Sequence, residues 1–206
     1  GFWTFVTVPA GSKVQIPNTQ LMSGPAIGSL SGAAGSVLVV SNGNTLVAQS
    51  ASNTFSGWIT GPGGIYKIGS ANLTLDCATN DYTGNTMIGG GALRASTLAN
   101  IGTASCIGAG TNILFTGGTL RYTGGNVTVN RPVTIMGNSG VEVTGGGATV
   151  TLSGAACGSG VLAKSGAGGL ILTGVGDNTG LGSSVNAGSL ALDKTSSGSV
   201  HAIGSN

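Results

Sequence analysis

The sequence predicts an all-β protein, a single-stranded right-handed parallel β-helix of roughly nine or ten coils. Three observations lead there. Short runs that alternate apolar and polar residues recur along the whole chain, Gly and Asn pairs separate them, and one stretch returns at a fixed offset of 97 residues.

The runs come in order. GFWTFVTV (1–8) opens the chain and reads as a first strand or as a docking element. SVLVVS (36–41), NTLVAQ (44–49) and ANLTLD (71–76) follow. NILFTG (112–117), GTLRYT (118–123), NVTVNR (126–131), PVTIMG (132–137), VEVTG (141–145) and ATVTLSG (148–154) occupy the middle. GLILTG (169–174) and GSLALD (188–193) complete the series. Alternation of period two is the signal of a half-buried strand, and Thr, Val and Ile favour a pleated surface. The Gly and Asn pairs between runs tolerate sharp corners. No segment carries a sustained 3.6-residue stripe. ALRASTLANIG (92–102) comes nearest, as a short helix or a strand and turn.

The recurrence separates a solenoid from a sandwich. SGWITGPGGIYKIG (56–69) and SGAACGSGVLAKSG (153–166) share Gly57/Gly154, Gly63/Gly160, Lys67/Lys164 and Gly69/Gly166. Leu73 and Leu75 return as Leu170 and Leu172, and Leu93 as Leu190. A long period made of short strands and Gly corners indicates stacked supersecondary units. With about 20 to 24 residues per coil, the chain forms a single domain over 1–206 and a rod of about 45 Å. The glycines are corner positions. The two lysines are expected to point outward, their stems over apolar rungs.

The residues of the repeat resemble a known family. NTFSGWITGPGGIYKIGSANLTLDCATNDYTGNTMIGGGALRAS (53–96) is similar to the passenger-associated repeat of bacterial autotransporters, and 151–192 is a second copy. The resemblance implies a β-helix exported outside the cell, with the repeats as scaffold. Cys77, Cys157 and Asn178 depart from that pattern.

Composition narrows the function. Of 206 residues 41 are Gly, 6% are charged and the net charge is +2, too little for a nucleic-acid footprint. No apolar run is long enough to span a bilayer as a helix. The start has no basic n-region, so a processed product or a fragment is expected. Cys77, Cys106 and Cys157 form no C-x-x-C pair; they are free thiols or contribute a disulfide. His201 is the single histidine, and no nucleophile elbow or P-loop is present. Asp76, Asp81, Glu142 and Asp177 would have to converge for glycosidase chemistry. No catalytic, metal or cofactor site is therefore expected.

The leading expectation is a non-catalytic structural rod on or outside a bacterial cell. Neither end reads as a charged cap, so end-to-end stacking into a fibre or surface layer is expected, with Phe2, Trp3 and Phe5 as docking residues. The alternative is an adhesin passenger that displays binding loops at 19–35 and 97–111 to host or surface glycans. A polysaccharide-acting enzyme is the third reading.

Overall fold

The structure is a computed structural model, and it describes residues 4–16, 26–175, 177–178 and 180–194. Its strands begin with β1 (Thr4–Val8), β2 (Lys13–Ile16), β3 (Ala26–Gly32), β4 (Val37–Val40), β5 (Asn44–Ala48), β6 (Asn53–Phe55), β7 (Trp58–Thr60), β8 (Gly64–Ile68), β9 (Leu73–Leu75), β10 (Thr86–Ile88) and β11 (Ala92–Ala95). They continue with β12 (Ile113–Phe115), β13 (Thr119–Tyr122), β14 (Val127–Val129), β15 (Val133–Ile135), β16 (Ser139–Val143), β17 (Thr149–Leu152), β18 (Ala156–Gly158), β19 (Val161–Ser165), β20 (Gly169–Leu172), β21 (Gly182–Val185) and β22 (Ser189–Leu192). Among the described residues there is no helix, and 92–102 begins as β11 before turning.

The strands stack in parallel as a solenoid of about eight turns. Three faces follow one another around the axis. Face I carries β5, β8, β10, β12, β15 and β18. Face II carries β1, β3, β6, β9, β11, β13, β16, β19 and β21. Face III carries β2, β4 and β7 at one end and β14, β17, β20 and β22 at the other. β3 rounds a corner, pairing with β5 at Ala26 and Ile27 and with β6 at Gly32. Between β7 and β14 face III has no strands, yet the ladder persists through Asp81 N to Ile59 O, Ser105 N to Asn80 O and Ala109 N to Tyr82 O. The count falls below nine or ten because turns are unequal. Leu73 pairs with Leu93 after 20 residues, whereas Leu93 pairs with Leu120 after 27, the extra residues forming an excursion at 96–112.

Alternation places one side-chain row inside at each rung. On face II the inward stacks are Phe55–Leu75–Ala95–Tyr122–Val143 and Leu73–Leu93–Leu120–Val141. On face I, Ile65 lies under Ile113 and Val133 through Thr86. These rows form one continuous core. Small aliphatics suffice because each need only fill the gap to the rung above and below, about 4.8 Å away.

The repeat sits in this frame with an offset. Lys67 lies in β8 on face I, and the face I strands β10, β12, β15 and β18 follow it turn by turn. Its counterpart Lys164 lies one strand further on, in β19 of face II. Leu73 and Leu75 likewise occupy face II, and Leu170 and Leu172 face III. The 97-residue period is thus four turns and one face.

Both lysines correct the expectation that they point outward. Lys67 and Lys164 are fully buried. Lys67 replaces an aliphatic in the stack between Val47 and Ile88, and Lys164 does so between Val141 and Val185. Each ammonium turns into the following corner. Lys67 Nζ donates to Ile68 O (3.1 Å), Gly69 O (3.0 Å) and Gly90 O (2.6 Å). Lys164 Nζ donates to Ser165 O (2.6 Å), Gly166 O (2.9 Å) and Ala187 O (3.1 Å). Three donors meet three carbonyls, which satisfies the ammonium. The corner that supplies them requires glycine: Gly69 and Gly166 have φ of 81° and 75°, and a Cβ there would strike the backbone of Gln49 or Val143. At Gly63, Gly154 and Gly160 the backbone of the preceding rung fills the place of a side chain, and at Gly57 the Ser36 hydroxyl and carbonyl do so.

Candidate functional site

The outward row of face II gathers most of the exposed charge of the solenoid's middle. Register places Thr54, Thr74, Arg94, Arg121, Glu142 and Ser165 on successive rungs of one line. Arg94 and Arg121 are direct neighbours, about 4.8 Å apart in backbone. Arg121 Nε donates to Glu142 Oε2 at 2.7 Å, one rung along. Arg94 is exposed and makes no ion pair with a described residue. Asp76, at the edge of the row, accepts from Ser56 Oγ at 3.1 Å. Two cations and two anions therefore share the strip, and its formal charge is zero.

The same face is grooved. A hollow of about 560 Å³ is lined by Arg94, Arg121, Thr123, Glu142 and Thr144. Two smaller ones, of about 190 and 180 Å³, share Thr54, Thr74 and Arg94. A fourth, of about 400 Å³, lies further along over Gly140, Ala163 and Ser184, whose short side chains leave the surface low. All four lie on face II; the three around Arg94 share lining residues and form one open furrow along the rod, and the fourth lies apart from them. Face I differs: its outward row of Leu46, Tyr66, Met87 and Leu114 is half-buried and apolar.

The excursion at 96–112 is less free than a display loop. Leu98, Cys106 and Ile107 are buried in it. Arg131, fully buried, donates to Ile107 O (3.1 Å), Thr103 O (3.2 Å) and Gly108 O (2.5 Å). Burial lowers the Arg131 guanidinium from its ordinary range, and the neighbouring Tyr82 opposes this. Asn80 bridges the rungs by accepting from Ile59 N (2.8 Å) and donating to Cys106 O (2.9 Å). Burial also raises the Tyr82 hydroxyl well above its usual value, and it bonds Thr86 Oγ1 at 2.8 Å. The tip, Asn100 to Thr103, is exposed, as are Ser96 and Thr111 near the two ends, and Asn130 Oδ1 holds the tip by accepting from Ile101 N. Of the other expected loop, 19–35, residues 26–32 are strand β3 and 19–25 lie outside the described residues.

Sites expected to be inert remain dispersed. Asp81 accepts from Trp58 Nε1 on face III, Glu142 is taken by Arg121, and Asp76 by Ser56. Among the described residues no three of His, Cys, Asp and Glu come together. Cys77, Cys106 and Cys157 are free thiols, and Cys106 is buried against Thr97 Oγ1 at 3.2 Å. Phe5 is 70% exposed on β1; Phe2, Trp3 and His201 lie outside the described residues.

Comparison with known proteins follows this geometry. Over 168 residues, 78% of the chain, the sequence is 43% identical to the adhesin BmaC autotransporter of Brucella suis biovar 1 (strain 1330). The chain spans about 5% of that relative's length. No protein-family model and no solved structure matches it. Similarity to an autotransporter adhesin over most of the chain, together with a parallel solenoid, is consistent with a β-helical passenger segment of a bacterial autotransporter.

Proposed function

We propose that the chain is a non-catalytic display segment of an adhesin, held at the surface of a bacterial cell or outside it, with face II as its binding face. The observation that carries this is the coincidence of four hollows, the Arg121–Glu142 pair and the exposed Arg94 on one side of the rod, in a chain whose relative is an adhesin. The expected end-to-end fibre has less support, since the relative is named as an adhesin. Kinship favours display. Asp76, Asp81 and Glu142 each have a separate partner, which favours display over the glycosidase reading.

The test is adhesion of inert beads coated with the chain to host cells and to extracellular matrix. Changing Thr54, Thr74, Arg94 and Arg121 together to Ala should abolish adhesion while the circular dichroism stays the same. Changing Lys13 and Thr60 on face III should leave it intact. Adhesion that survives the face II variant would refute the assignment.

A further inference from the structure

Resting on that display role, we infer that the face II furrow takes a linear glycan of sparse charge, one in which uronic acids alternate with neutral sugars, with Arg94 as the carboxylate contact. The furrow runs along the axis, so its side chains repeat at the rung spacing. An extended β-linked glycan advances roughly one rung of the ladder, about 4.8 Å, per sugar. Sugars can therefore stay in register with Thr54, Thr74, Arg94 and Arg121 over several rungs.

Charge sets the class. Arg94 is the guanidinium of the row left without a carboxylate, and its planar fork matches one bidentately. Glu142 and Asp76 line the hollows around it, already engaged by Arg121 Nε and Ser56 Oγ, and their remaining lone pairs can accept from sugar hydroxyls. A strip of zero net charge offers one free guanidinium to a dense sulfated polyanion, whose further charges these two carboxylates repel. A peptide fits less well. The strands of face II between β1 and β21 are paired on both sides, so they offer no free edge for strand addition, and the outward row has no apolar pocket for side chains.

Three probes test this on the whole chain: hyaluronate, hyaluronate whose carboxyls have been reduced to alcohols, and heparin. Hyaluronate is expected to bind, and Arg94→Gln to weaken it about tenfold or more, as loss of a charge-assisted hydrogen bond does. Carboxyl reduction should cost a similar factor, and the two losses should not add, since both remove the same contact. Arg94→Lys should restore part of the loss, and Lys13→Gln on face III should change nothing. Heparin binding as tightly as hyaluronate would overturn the proposal, as would equal losses in Arg94→Gln and Lys13→Gln, or additive losses. A chain that adheres to cells yet ignores hyaluronate refutes the glycan class and leaves the display role standing. A chain that adheres to nothing refutes both.

Discussion

Replacing Lys67 with methionine removes a charge from the core while nearly preserving volume. Its effect should depend on pH. Ile68 O has a second donor in Gln49 N, but Gly69 O and Gly90 O rely on Lys67. Orphaning two carbonyls costs about 1–3 kcal/mol each, towards the low end at the exposed Gly69. Against this, the methionine spares the fold a buried ammonium. That penalty is visible in the lysine itself, whose pKa burial lowers from 10.5 to about 8. Between those values the unfolded chain binds the extra proton, so stability rises with pH; the penalty is fully present below pH 8 and relieved towards 10.5. By about pH 9.5 the relief reaches about 2 kcal/mol. Lys67→Met should therefore destabilise by about 0–2 kcal/mol near neutral pH and by about 2–4 near pH 9.5. Lys164 is shifted in the same direction, but it is common to both proteins and cancels. The raised Tyr82 acts with the opposite sign, and only above its ordinary value of 10.0. Urea unfolding of the two proteins at the two pH values measures the difference. Parallel pH profiles would refute a buried, partly titrating ammonium.

Further predictions concern the scaffold. Arg131→Met should loosen the 97–111 excursion at a local cost of about 1–3 kcal/mol, because Thr103 O loses its donor while Ile107 O and Gly108 O keep Thr86 Oγ1 and Ser105 Oγ. Hydrogen exchange should rise at 100–110 while β16, β17 and β19 stay protected, and unchanged protection would count against the anchor. Gly69→Ala should destabilise by about 2 kcal/mol or more, from a left-handed φ and contact with the Gln49 backbone. Gly125→Ala, where a Cβ meets nothing within 4 Å, should stay within about 0.5 kcal/mol in thermal unfolding.

The fold was legible because a solenoid is written in local terms. Alternation fixes which residues enter the core, and glycines with no room for a side chain mark corners, so each rung of Val, Ile and Leu can be read without knowing its partners. Lys67 and Arg131 were harder, since long cations are ordinarily surface residues. Their phase nevertheless points inward. Lys67 has the parity of Ile65, Lys164 that of Leu162, and Arg131 that of Val129 and Val133, all buried. Periodicity was the better guide than residue type. The binding face was not legible. Arg94 meets Arg121 only because an excursion makes their turn 27 residues long, and Glu142 follows 21 later. No fixed spacing in the sequence announces that line.

Because the period is four turns and one face, identical sequence does not mean identical azimuth. Tyr66 looks out from face I, and the residue at the equivalent position, Ala163, from face II. Arg94 of face II corresponds to Ala191 of face III. A ladder that runs through three sides in cyclic order accepts a duplicated block ending on any of them, so growth by recombination is quantised in thirds of a turn rather than whole ones. Each new copy then faces a fresh direction, and its outward residues can drift while the inward lysine and its glycine corner stay fixed. In this chain the second copy is therefore turned away from the first, and Arg94 on face II has no counterpart from the second copy on the same side.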